Sequence, residues 1–190
     1  MCLIAGERPE SVFDAMRARR SVRAYAPDRL ERSVLQTLLE AAVLAPTAMH
    51  EEPWAFVVIQ DREMLKRLSD LAKPLFIESL HRSGRTTGIF SDPDFDIFHG
   101  AGTLIVICAK PFGPFFEADC WLAAENLMLA ACAGGLGSCV IGSSVAAINE
   151  LKTAIGIPAE FDAIAPIVIG VPAGETPASS RKAPQVLAWL

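Results

Sequence analysis

Five consecutive residues, Arg19, Arg20, Ser21, Val22 and Arg23, form the densest concentration of chemistry in this 190-residue chain. If the stretch runs extended, successive side chains alternate faces, so Arg19, Ser21 and Arg23 are expected on one side and Arg20 behind them. Guanidinium forks match the oxygens of a phosphate, and a hydroxyl can donate into a remaining lone pair. Such a face suits one small anion. A solvated basic helix end would carry the same letters, so the remainder of the chain has to decide.

A second stretch with chemical potential runs from Ala133 to Gly142 and includes Gly134, Gly135 and Gly137. It lacks the Lys-Ser/Thr of a P-loop, Val140 breaks the GxGxxG register, and it follows a helix instead of a strand. A plain helix C-cap accounts for Gly134 or Gly135 but not for Gly137 and Gly142. Those two suit close approach of backbone to a flat ligand or to another element. No GxSxG motif is present. His50, His81 and His99 form no close ligand pair, and the carboxylates Glu51, Glu52, Asp94 and Asp96 sit in expected loops. Neither a catalytic side chain nor a metal site is assigned. An anion clamp beside a backbone-rich loop, without an acid–base pair, points to a bound cofactor that carries the chemistry.

The elements that must position these residues follow from periodicity. Ser11 to Ala18 reads as a short helix ending at the arginines, followed by extended chain from Ser21 to Tyr25. Val34, Leu35, Leu38, Leu39 and Ala42 fall at helical spacing, and Pro46 ends that helix. Thr47 to Pro53 is a loop. Trp54 to Ile59 is a strand continuous enough to be buried on both faces. Arg62 to Ala72 is helical, whereas Lys73 to Phe98 reads as a helix and then a mobile loop, either a lid or a surface excursion. Gly102 to Ala109 is a buried strand, and Phe116 to Ala133 is a helix apolar around nearly its whole circumference. Gly134 to Ser144 is a loop, Val145 to Ile155 a helix stopped by Gly156, and Ala163 to Val171 a strand. The tail from Pro172 reads as loop but ends in apolar Val186, Leu187, Trp189 and Leu190.

Length fits one domain spanning residues 1–190, with a substantial core. Hydrophobic residues make up 52% of the chain and the mean hydropathy is +0.35. A surplus of that size suits a subunit interface or a large core. The net charge of −5 argues against nucleic acid, which calls for a basic face. Five cysteines without a CxxC spacing read as reduced thiols in a cytoplasmic protein. The N-terminal apolar run is too short for a signal peptide. Leu127 to Asn149 carries no charge, yet its glycines and serines fit a buried helix and loop better than a membrane span.

Arg19 to Arg23 and the run from Ala45 through Pro46, Thr47, His50 and Trp54 to Val58 resemble the two N-terminal signatures of the nitroreductase family of flavoproteins. Ala124 to Ala131, followed by Gly135 to Ser138, is similar to that family's central helix and flavin loop. Ile167 to Pro172, and then Arg181 with Lys182, fits its last strand and phosphate-binding arginine. The resemblance spans nearly the whole chain in the right order.

The resemblance implies an α+β fold with a mixed, mostly antiparallel central sheet flanked by helices, assembled as a homodimer with FMN at the interface. Arg19, Ser21 and Arg181 would hold the FMN phosphate, with Arg20 assisting from the opposite face. Arg23 would approach the N1/O2 edge of the ring system. Pro46, Thr47 and His50 would come from the second subunit, and the backbone at Val140, Ile141 and Gly142 would lie along the flavin. The activity implied is transfer of hydride from NAD(P)H through FMN to a small acceptor, such as a nitroaromatic or quinone, in a ping-pong cycle. Two alternatives stand beside it: a flavin-consuming or dehalogenating branch, and a flavin- or nucleotide-binding regulatory protein without turnover. His50 stands where many members carry Asn, as in the deiodinase-like branch. The Glu-Tyr-Lys substrate set of that branch is not found between Lys73 and Phe98.

Overall fold

A computed structural model describes residues 11–190 of the chain; Cys2 and the N-terminal apolar run lie outside the described residues. Nine regular elements follow in order: α1 (Val12–Ala18), α2 (Arg32–Ala42), β1 (Trp54–Ile59), α3 (Arg62–Arg82), β2 (Thr103–Ala109), α4 (Phe116–Ala133), β3 (Gly137–Val140), α5 (Val145–Glu150) and β4 (Asp162–Gly170). The strands form one sheet in the order β1-β2-β4-β3, and every ladder in it is antiparallel. A parallel component enters through one isolated bridge, Ser21 to Ser138.

Period-two alternation along β2 divides the core. Leu104, Val106 and Cys108 face the layer of α3 and α5, while Ile105, Ile107 and Ala109 face α2 and α4. Between Ile107 and Cys108 the register with β4 jumps from Ala165 to Ala163, leaving Ile164 as an extra residue. That bulge flips the alternation of β4, which is why Ala163 joins one layer and Ala165 the other. The sheet is therefore apolar on both faces and covered by helices on both.

The ends of the helices are written in the sequence. Ser11 caps α1 by accepting from the Asp14 N–H at 3.2 Å, and Asp61 caps α3 by accepting from the Met64 N–H at 2.7 Å. The long helix α4 has the bounds its apolar run predicts. It packs small residues, Ala123, Ala124 and Ala131, against the sheet and leaves Trp121 and Leu122 partly exposed on the other side.

Four expectations change. β1 is not buried on both faces: it is an edge strand, and Val58 is exposed. The glycine stretch is not all loop, because Gly137 to Val140 pair with Ile167 to Gly170 of β4. The helix from Arg62 continues without a break through Pro74 to Arg82, since exposed Pro74 forfeits only one backbone bond. The helix after Ser144 ends at Glu150 and is followed by a 3-10 turn, Lys152–Ile155, closed by Gly156 at φ +82°. The tail beyond Pro172 has no helix or strand, and Val186, Leu187 and Trp189 are exposed.

Candidate functional site

The arginine-bearing segment is fixed to the open edge of the sheet. Val22 N–H donates to Ser138 at 3.0 Å, Ala26 N–H to Val171 at 2.9 Å, and Ala173 N–H to Ala24 at 2.9 Å. Two glycines receive its inward side chains. A Cβ on Gly137 would fall 2.7 Å from Val22 Cγ2, and one on Gly170 would fall 3.1 Å from Tyr25 Cδ1. Val22 and Tyr25 are buried there, and the Tyr25 hydroxyl donates to the Val22 carbonyl at 2.8 Å. Burial accordingly pushes the Tyr25 pKa well up. With Val22 turned in, Ser21 and Arg23 turn out.

Alternation does not carry back to Arg19, although its backbone has left the helix: Arg19 is the C-cap of α1 at φ −56° and ψ 135°, with its N–H still donating to Ala15. Arg20, Ser21 and Arg23 line one cleft of about 540 Å³, together with Thr176, Ser179 and Arg181 from the tail. Part of the Arg20 fork is used on the carbonyls of Arg17 and Arg19. Arg19 leaves this group and lines a smaller neighbouring cleft with Cys132 and Ser138. Its guanidinium lies 3.4 Å from Glu125 of α4, and its buried Nε makes no hydrogen bond among the described residues. The expected pairing of Arg19 with Ser21 and Arg23 is thus replaced by Arg20.

Arg23 also lines a second cleft, likewise about 540 Å³. One wall is the backbone around Val140, Ile141 and Gly142, tied down by Ile141 N–H to Pro166 at 2.9 Å and by Ser144 Oγ to the Ile141 carbonyl at 2.7 Å. A Cβ on Gly142 would meet nothing within 4 Å among the described residues, so the loop presents an open face. The opposite wall comes from α3 and the segment that follows it: Phe76, Phe90, Phe95, Ile97 and His99. Burial and the Arg23 charge both hold the His99 pKa below its usual value, with Asp96 pulling the other way. Burial pushes the Cys139 thiol on the same cleft up, against the positive charge of Arg23.

Pro46, Thr47 and His50 line neither cleft. They belong to a turn held against α4, where the buried Asp119 carboxylate accepts from the Ala48 N–H at 3.1 and 3.3 Å. Met49 and His50 sit at φ +55° and +59° in that turn. Asp119, His99 and the phenylalanines escaped sequence reasoning. Their spacing has no period, and Asp119 reads simply as a first-turn acid of α4.

Chemically, the two clefts differ and meet at Arg23. One gathers three guanidinium groups and hydroxyls, as an anion requires; the other offers apolar rings and open backbone, as a planar ring requires. A ligand with a phosphate tail and a flat heterocycle fits both, and the residues present suit such a group.

Comparison with known proteins gives the family and the fold a name. A 30% identical relative from Archaeoglobus fulgidus, described as "Putative NADH dehydrogenase/NAD(P)H nitroreductase", aligns over 87% of this chain and 88% of its own. The crystal structure of a Bacteroides fragilis nitroreductase with bound FMN superposes with a TM-score of 0.80 at 24% identity, covering 95% of this chain and 98% of that one. An iodotyrosine deiodinase bound to FMN and 3-iodo-L-tyrosine shares the fold at a TM-score of 0.76 and 21% identity, covering 93% and 97%. The family model described as the nitroreductase family matches residues 16–172, which contain the arginine segment, both signature loops and the whole sheet. With that span matched and the fold shared, the chain belongs to the nitroreductase family.

Proposed function

We propose that the chain binds FMN across the two clefts and works as an NAD(P)H-dependent oxidoreductase on a small acceptor. The observation that carries this reading is the junction at Arg23 between an arginine-lined cleft and a flat-walled apolar one. Arg20, Ser21 and Arg181 would take the phosphate, and Arg19 would join them only by leaving Glu125. Arg23 would stand beside the polar edge of the ring, where its fixed positive charge favours negative charge developing there. The backbone at Val140, Ile141 and Gly142 would support the ring face, and the phenylalanine wall would exclude water. When bound, FMN supplies the electron transfer between reduced nicotinamide and acceptor; no side chain of this chain is needed as an acid or base.

The reading includes a homodimer. Val12, Phe13 and Met16 of α1 and Trp121 and Leu122 of α4 leave apolar surface exposed, and α1 packs on α4. A second copy would cover that surface and bring Pro46, Thr47 and His50 to the cleft; the apolar tail would pack on it as well. Obligate homodimers commonly bury about 2,000 Å² or more in such a face. Sedimentation of the FMN-loaded chain as a stable monomer would remove this part of the proposal.

A dehalogenating role is weighed by the likeness to the deiodinase. The wall facing the Gly142 loop has phenylalanines and no Glu, Tyr or Lys, and the chain's single tyrosine is buried under Val22. That composition favours the reductase. The test is the absorbance of freshly purified protein, followed by anaerobic titration with NADPH or NADH. A yellow protein bleached by reduced nicotinamide, and recoloured by a quinone or nitroaromatic, is expected. A colourless protein that cannot be reconstituted with FMN would sink the reading.

A further inference from the structure

A non-glycine residue persists in the left-handed region only when its surroundings hold it there. His99 lies at φ +56°, and the hold is visible. Asp96 Oδ1 accepts from the Phe98 N–H at 3.0 Å, its Oδ2 from the Gly100 N–H at 2.9 Å, and its carbonyl from the His99 N–H at 3.0 Å. Ile97 and Phe98, 2% and 1% exposed, anchor the same turn in the core. Glycine or asparagine would occupy such a position more cheaply. The chain instead places an imidazole there, half-buried, on the cleft that Arg23 and Gly142 share.

That cleft is polarised. The His99 ring meets Phe95 edge-on at 5.7 Å; Phe95 meets Phe90 at 5.5 Å, and Phe90 meets Phe76 at 4.7 Å. Aromatic rings therefore lead away from a polar end made by His99 and Arg23. A flavin ring has the same polarity, with an imide edge at one end and a methylated benzenoid edge at the other. A guanidinium can only donate, whereas an imide presents acceptors on either side of a donor. A neutral imidazole has one donor and one acceptor, and burial next to Arg23 keeps His99 neutral at ordinary pH.

We propose that His99 orients the bound flavin, giving its imide edge a hydrogen-bond partner beside Arg23 while the phenylalanine ladder takes the benzenoid edge. The inference rests on the FMN reading above. It makes His99 a cofactor-orienting residue, supplied by the segment between α3 and β2.

FMN titration of the full-length apoprotein tests it, read by flavin fluorescence and by the visible spectrum of the bound form. His99→Phe keeps a flat ring against Phe95 but loses both polar atoms; it should weaken FMN binding by about tenfold or more and shift the bound flavin spectrum. His99→Gln restores a donor and an acceptor and should stay within about threefold of the unaltered chain. His99→Gly should lose affinity like His99→Phe while the apoprotein melts no earlier, because the strained φ is relieved. Unaltered FMN affinity in His99→Phe overturns the proposal, as does an equal loss in His99→Gln and His99→Phe. If the unaltered chain binds FMN and His99→Phe does too, only the role of His99 fails; if the unaltered chain binds none, both readings fail.

Discussion

Two regions build the clefts, and they are held by different means. The segment Ser21 to Ala26 is fastened by backbone hydrogen bonds to β3 and to the chain just beyond β4, and its inward side chains seat on Gly137 and Gly170. The segment Lys73 to His99 makes no strand pairing. It is held by the length of α3, by aromatic contacts and by the Asp96 turn. The first region resists displacement because its backbone is part of the sheet; the second depends on a few side chains. Changes to the first should disturb fold and ligand binding together, and changes to the second should separate them.

The largest effect is expected where the first region is seated. Gly137→Ala puts a Cβ 2.7 Å from Val22 Cγ2 and 2.9 Å from Val22 Cβ, so Val22 has to shift. Overpacking of this kind costs about 1–3 kcal/mol. Because Val22 must move, Ser21 and Arg23 move with it, so thermal midpoint and FMN affinity should fall together. Adding Val22→Ala should recover much of both. Gly142→Ala is the control: with open space around it, the apoprotein should melt unchanged while FMN binding weakens. Equal destabilisation by both substitutions would contradict the seating account.

Next come the charges, which sharpen the same comparison without touching the seat. Arg181→Glu replaces an attractive contact to a phosphate with repulsion, and a charge-assisted hydrogen bond contributes about 1.5–3 kcal/mol, so affinity should fall by about 100-fold. Arg20→Ala should weaken FMN binding more than Arg19→Ala, because Arg20 shares the cleft with Ser21 and Arg181 while Arg19 is occupied with Glu125. Equilibrium dialysis decides the order, and the reverse order would restore the alternation expected from the letters alone.

The second region should break more gently. Asp96→Ala removes the acceptor for two N–H groups of an exposed turn, worth about 1–2 kcal/mol. Hydrogen exchange should rise at Phe98 and Gly100 but not at Val22 or Ala26. Spread of the effect to Val22 would mean that the two regions are one cooperative unit.

How much of this was legible follows the same division. α4 could be bounded from its apolar run, and β2 and β4 from continuous β-branched stretches, because burial leaves a period or a run in the letters. β3 could not, since four residues beginning with Gly become a strand only by pairing with β4. Arg19 and Arg20 depart from simple alternation because side-chain partners decide their placement: Arg19 lies against Glu125, and the Arg20 fork meets the carbonyls of Arg17 and Arg19. The aromatic wall was out of reach. Phe76 needed α3 to run on through Pro74, and His99 needed a backbone sign that only the Asp96 turn dictates. The nitroreductase signatures were legible because they lie on the region fastened to the sheet, where spacing translates directly into position.

The smallest effect probes the core that both regions rest on. Cys108 of β2 and Cys120 of α4 are buried on opposite faces of the sheet, and burial pushes both thiols up to about 12. In the unfolded chain a thiol titrates near 8.5. Above that pH the unfolded state therefore binds fewer protons than the folded one, so folding stability declines as pH rises and is highest below it. The slope approaches about 1.4 kcal/mol per pH unit for each such thiol between pH 9 and the folded value. Tyr25, whose pKa is also raised, adds its own slope above pH 10, so the comparison belongs between pH 8 and 10. Cys108→Val keeps an apolar side chain of similar size and removes one titrating group. Urea unfolding at pH 8 and pH 10 should show a smaller loss of stability in this variant than in the unaltered chain, by about 1–2 kcal/mol. Cys108 and Cys120 should also react slowly with a disulfide reagent at pH 8, since their thiolate fraction is small and both are enclosed. An unchanged pH dependence in Cys108→Val would show that the thiol reaches solvent in the folded state, and that the sheet face beneath α3 is less closed than its packing indicates.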